Sequence, residues 1–150
     1  MKLAVSSPKV CSLTEAVLKH LQGKGMELVH FGALAGRPSD YIAAAEELAE
    51  SISSGGCGLG VLFCHTGTGA TLIANKFPGV RGALCPDAFS ARVARGANNA
   101  NVLVLGIRLT GEALALEILD AFLEPPAKDQ PKWPDFHRRT DAIDQRFRTR

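Results

Sequence analysis

The sequence predicts an α/β domain of three layers, with helices on both faces of a five-stranded parallel sheet. Two observations carry that expectation. Short strand-like runs alternate with helix-like segments along most of the chain, which implies parallel pairing through right-handed crossovers. Two of those runs, Leu59–Phe63 and Val102–Leu105, hold no polar residue, as strands covered on both faces must. With 150 residues the chain makes one ordinary domain with a full core, and a composition 46% apolar and 21% charged excludes a disordered chain.

The elements follow in order. Leu3–Ser6 is a short apolar strand. Ser12-x-x-Glu15 has the pattern of a capping box, and Leu13, Ala16, Val17 and Leu21 continue at helical spacing to a stop at Gly23-Lys24-Gly25. Met26–Phe31 is a second strand. Ser39 or Asp40 caps a helix whose Ile42, Ala45, Leu48, Ala49 and Ile52 form one apolar face. Gly55-Gly56-Cys57-Gly58 interrupts the chain before the strand Leu59–Cys64. Gly69–Lys76 is a short helix, Val80–Leu84 a fourth strand, and Asp87 caps a helix that carries Phe89 and Val93. Asn101–Leu105 is the fifth strand and Glu112–Phe122 an amphipathic helix. Pro125-Pro126 ends the regular pattern, Lys128–Pro134 reads as a linker, and Phe136–Phe147 as a last, basic helix.

Net charge is only +2, but seven Lys or Arg against four Asp give Lys128–Arg150 a local +3. Such a tail suits an acidic partner or a small phosphate. Nucleic acid is not expected, because base-stacking aromatics are not interleaved with the charges. No apolar run approaches the roughly 20 residues of a membrane span, and the N-terminus lacks a signal peptide's apolar stretch, so the reading is cytoplasmic with no membrane partner. Cys11, Cys57, Cys64 and Cys85 have neither C-x-x-C nor zinc-like spacing. Cys11, Cys57 and Cys85 read as small buried hydrophobes.

Cys64 differs. It closes a strand, and His65-Thr66-Gly67-Thr68-Gly69 leads from it into a helix. Open parallel sheets bind ligands outside the carboxyl ends of their strands. The unpaired amides and the dipole of the helix N-terminus favour negative charge there, and the same field favours the Cys64 thiolate. A base beside an oxyanion pocket suits proton abstraction next to a carbonyl, the resulting enediolate being held by loop amides and the Thr66 hydroxyl. An anion-free structural turn is the other reading of the same residues. Walker spacing is absent, and Leu72 stands where a dinucleotide fingerprint needs its third glycine.

The run GVLFCHTGTGATLIANKFPGVRGALCPDAFSARVARGANNANVLVLGIRLTG closely resembles the core of the ribose 5-phosphate isomerase B family, which includes the galactose 6-phosphate isomerase subunits. The match is dense from Gly55 to Gly111 and looser at Phe31-Gly32 and Asp40-Tyr41. It implies a Rossmann-like, metal-independent aldose–ketose isomerase domain over 1–124, with no cofactor. Cys64 is then the base between C1 and C2 and Thr66 its catalytic partner, while Gly67, Thr68 and Gly69 hold the enediolate. Asn98 binds a substrate hydroxyl. Arg108 and the tail residues His137, Arg138 and Arg139 bind phosphate. The 125–150 linker and tail pack on a neighbouring subunit of a homodimer or homotetramer.

Three departures qualify the transfer. Where the resemblance implies an aspartate–histidine pair after the first strand, this chain has Ser7-Pro8-Lys9, so Ser7 and Lys9 become the substrate candidates there. Where it implies a histidine that opens a furanose ring, this chain has Ala97. His65 replaces a glycine and is either a substitute ring opener or a solvent-facing loop residue. Two functions follow: an isomerase acting on a pentose 5-phosphate or an open-chain tetrose 4-phosphate, or a non-catalytic sugar-phosphate-binding subunit.

Overall fold

Strand β3 (Leu59–Cys64) lies at the centre of a parallel sheet ordered β2-β1-β3-β5-β4. Its neighbours are β1 (Lys2–Ser7) and β5 (Val102–Gly106), and β2 (Glu27–Gly32) and β4 (Gly82–Leu84) form the edges. Among the described residues, six α-helices connect or cover them: α1 (Ser12–Gly23), α2 (Tyr41–Ser53), α3 (Thr68–Ala74), α4 (Ala88–Gly96), α5 (Glu112–Leu123) and α6 (Trp133–Arg148). This computed structural model describes residues 2–148; Met1, Thr149 and Arg150, the last counted in the basic tail's charge, lie outside the described residues.

The two-residue period of β3 divides the core. Leu59, Val61 and Phe63 face α1, α4 and α5, where Val17, Ile118 and Phe122 are fully buried. Leu62 and Cys64 face α2 and α3, among Ala45, Leu48, Ala70 and Ala74. Burial on both faces contributes about 1.5–3 kcal/mol for each large apolar side chain, which keeps the middle of the sheet rigid. The alternation also directs the Cys64 side chain under α3.

Local chemistry explains where elements begin. Asp40, not Ser39, caps α2, its Oδ1 accepting from Ala43 N at 2.8 Å. Asp87 caps α4 through Ser90 N at 2.7 Å. Helix α1 starts one residue before the expected Ser12–Glu15 box: Cys11 is the N-cap, and the Thr14 hydroxyl accepts from Cys11 N at 2.9 Å. A Thr at the third helical position thus does what Glu15 was expected to do. In α4 the small residues Ala91 and Ala94 meet the core, while Phe89 is 76% exposed. The last helix begins at Trp133, inside the stretch expected to be linker. Cys57 and Cys85 are buried as expected, but Cys11 is only half-buried.

Candidate active site

The strand order reverses between β1 and β3. The chain leaves β1 for β2 on one side and β3 for β4, past β5, on the other, opening a crevice at their carboxyl ends. Ser7 ends β1 and Cys64 ends β3 at that crevice. Cys64 is 4% exposed and pairs in register with Gly106 of β5. Its carbonyl accepts from Ile107 N at 2.8 Å, and the His65 carbonyl accepts from Arg108 N at 3.0 Å. The backbone on both sides of the thiol is therefore fixed, while the His65 and Arg108 side chains stand exposed.

The loop after Cys64 turns sharply at Gly67, whose φ of 88° is left-handed and strained for any residue with a Cβ. A methyl group there would also run into the Leu84 side chain. The turn brings two hydroxyls together: Thr66 Oγ1 and Thr68 Oγ1 are 2.9 Å apart. Gly67 is the N-cap of α3 and no side chain caps the helix, so its first amides lack an intrahelical acceptor. The Thr71 hydroxyl is committed elsewhere, donating to the Gly67 carbonyl at 2.8 Å. Gly69 lies against the Tyr41 ring at a spacing that a Cβ would close to 2.8 Å.

Cys64, His65, Thr66, Gly67, Thr68, Gly69, Arg108, Ser7 and Lys9 thus share the carboxyl edge of the sheet. Ser7 is fully buried, and its hydroxyl donates to the Lys9 carbonyl at 2.6 Å, so it shapes the turn that presents the exposed Lys9. A cavity of about 310 Å³ opens beside Thr66, between Gly106 and Thr110 on one side and Leu84, Cys85 and Leu109 on the other. Burial pushes the Cys85 thiol up to about 11, which keeps it protonated at neutral pH. Tyr41, Leu84 and Cys85 were not expected at the site. They reach it from separate elements, and only the Asp40-Tyr41 dipeptide carried a hint.

Asn98 and the tail sit elsewhere. Helix α4 starts just past the carboxyl end of β4 and runs back, so Asn98 is exposed at the opposite edge, shortly before β5 begins. His137 Nε2 lies 2.8 Å from the Gly96 carbonyl at that same edge, and the Trp133 ring is packed on Gly96. Arg138 pairs with Asp135, and Arg139 lies 3.7 Å from the same carboxylate. Within one chain, then, four of the expected site residues do not join the Cys64 loop. Among the described residues no group of three or more His, Cys, Asp or Glu is placed to hold a metal ion, and no helix is long and apolar enough to cross a membrane.

Comparison with known proteins bears directly on this arrangement. The Ribose/Galactose Isomerase family model matches residues 5–143. The chain belongs to that family. It is 36% identical over 111 residues to ribose-5-phosphate isomerase B of Escherichia coli, covering 74% of each chain. It is 39% identical over 113 residues to D-erythrulose-4-phosphate isomerase of Pectobacterium atrosepticum, covering 75% of this chain and 74% of the relative. The structure of Clostridium thermocellum ribose-5-phosphate isomerase B superposes with a TM-score of 0.87 at 32% identity, over 98% of this chain and 99% of that one. The resemblance read from the glycine loop therefore holds for the fold and the family, and this family member is an aldose–ketose isomerase.

Proposed function

We propose that the protein moves a proton between C1 and C2 of an open-chain sugar phosphate, with Cys64 as the base, and prefers tetrose 4-phosphates to ribose 5-phosphate. The observation that carries the mechanism is a buried thiol at the switch point of the sheet, followed at once by a left-handed glycine and a pair of threonine hydroxyls. Cys64 takes the proton from the carbon next to the carbonyl. The enediolate oxygen that gains charge is held by the Thr66 hydroxyl and the free amides at Thr68 and Gly69, donors already fixed before the reaction. Arg108 and Lys9, exposed on either side of the crevice, attract the phosphate, Arg108 through its planar fork and Lys9 as a point charge.

Asn98 supports a site shared between two chains. The length of β3 puts it about 16 Å from Cys64 along the strand direction, more than a four- or five-carbon substrate spans. A second copy packed on the β4 edge of the sheet, where Leu72, Phe89 and Leu109 are about 70–76% exposed on neighbouring elements, brings its own Asn98 and basic tail to this loop. The tail residues His137, Arg138 and Arg139 then meet the phosphate in trans.

Ala97 supports the tetrose preference. Alanine has no group that can open a furanose ring, and a tetrose 4-phosphate lacks the free hydroxyl needed to close one. The relative active on D-erythrulose 4-phosphate agrees with this reading. A second reading rests on His65, exposed next to Cys64 with its carbonyl pinned by Arg108 N, as a substitute ring opener. kcat/KM for tetrose 4-phosphate and ribose 5-phosphate, measured for wild type, Ala97→His and His65→Gly, separates the two. Ala97→His is expected to help the pentose more than the tetrose. A wild-type preference for ribose 5-phosphate rules the tetrose reading out, and a pentose-specific loss in His65→Gly assigns ring opening to His65.

A further inference from the structure

Three threonines lie on the loop and first turn after Cys64, and their hydroxyls are used differently. Thr71 is spent on the Gly67 carbonyl at 2.8 Å, a bond internal to α3. Thr66 is half-buried and lies beside the cavity that reaches Gly106 and Thr110. Thr68 is exposed, caps no helix, and lies 2.9 Å from Thr66 with either oxygen able to donate. The left-handed turn at Gly67 creates this pair, since it folds residues 66 and 68 to the same side.

A threonine hydroxyl carries one proton and two lone pairs, and nothing covalent fixes where that proton points. Thr66 on its own is a free rotor that must find the reacting oxygen. A neighbouring hydroxyl donating into Thr66 removes that freedom: it occupies one lone pair, directs the Thr66 proton away from itself, and polarises it further. We infer that Thr68 is the positioning residue of the Thr66 hydroxyl, donating to Thr66 Oγ1 so that the Thr66 proton points at the substrate oxygen that becomes the enediolate. The pair reverses direction when Thr66 instead accepts a hydrogen bond from a substrate hydroxyl, as interconversion in both directions requires. No bond other than these hydrogen bonds forms or breaks at the Thr68 hydroxyl. This inference rests on the isomerase reading of the Cys64 loop.

The test uses the full chain and whichever sugar phosphate the wild type turns over. Thr68→Val keeps the shape and removes the hydroxyl; it is expected to lower kcat about tenfold with KM unchanged, the fold-change corresponding to about 1.4 kcal/mol, within reach of one neutral hydrogen bond. Thr68→Ser is expected to restore kcat. Because Thr68 acts through Thr66, Thr66→Val with Thr68→Val is expected to be no slower than Thr66→Val alone. If Thr68→Val does not fold by circular dichroism, Thr68→Ala takes its place in each comparison. A wild-type kcat in the Thr68 variant, a loss confined to KM, or additive losses in the double variant overturns the inference while an active, Cys64-dependent wild type leaves the isomerase reading standing. A wild type that catalyses no C2-proton exchange overturns both.

Discussion

Gly96→Ala tests how the tail is held. Gly96 ends α4, is buried, and carries the Trp133 ring so closely that an added methyl group overlaps two ring atoms. Its carbonyl also receives His137 Nε2 at 2.8 Å. The ring must retreat on the order of 1 Å to reach ordinary carbon–carbon contact. A half-buried indole keeps on the order of 100 Å² from water, about 2.5 kcal/mol, and the hydrogen bond adds about 1 kcal/mol. Those two contributions anchor α6 at its first turn, against the conformational entropy of ordering the segment. Alanine meanwhile favours α4 by about 1 kcal/mol over glycine, so the thermal midpoint of the sheet and its helices changes little. Trp133 is the only tryptophan, so its fluorescence reports this contact alone. The expected result is a red-shifted emission maximum and faster proteolysis near residues 125–132, with the main unfolding transition nearly unmoved. An unchanged maximum with unchanged proteolysis refutes the clamp.

Two further outcomes follow from charge and burial. Burial alone would raise the Asp120 carboxyl, but hydrogen bonds from His20 at 2.8 Å and Lys24 at 3.1 Å outweigh it and hold the group below its ordinary 3.8. A depressed carboxylate contributes stability that is present above the unfolded value and lost as pH falls through the folded one. Thermal midpoints measured below pH 3.8 are therefore expected to fall less steeply in Asp120→Asn than in wild type, and parallel slopes contradict this. Cys85, with its thiol near 11, is about one part in a thousand thiolate at pH 8. Peptide mapping after iodoacetamide treatment is expected to find Cys85 unmodified at that pH, and labelling at the rate of an exposed thiol contradicts its burial.

What the sequence revealed depended on how local each feature is. The strands β3 and β5 are legible because double burial leaves continuous apolar runs, and Asp40 and Asp87 are legible because a cap needs one side chain and a nearby amide. The Ser12–Glu15 pattern misled by one residue, since Thr14 satisfies the Cys11 amide by a shorter reach than Glu15 would need. Size alone does not say which face of α4 is covered: Ala91 and Ala94 are the residues against the core, and Phe89 is exposed. At the site, Cys64 through Gly69 could be read as one run. The Tyr41 ring under Gly69, Leu84 against Gly67 and the Thr66–Thr68 pair could not, because each depends on how distant or strained backbone is brought together. Asn98 looked like a neighbour of Cys64 through the resemblance, and the direction of α4 puts it at the far edge of its own chain.

The central claim is that the Cys64 sulfur moves the substrate proton. The measurement that reaches it most directly is solvent exchange at C2 of the accepted sugar phosphate, followed by proton NMR in deuterated water with wild type and Cys64→Ala side by side. Wild type is expected to replace the C2 proton with deuterium, and Cys64→Ala, folded and of the same assembly size, to slow that exchange by at least about 10²–10⁴-fold. Exchange at the wild-type rate in folded Cys64→Ala contradicts the account.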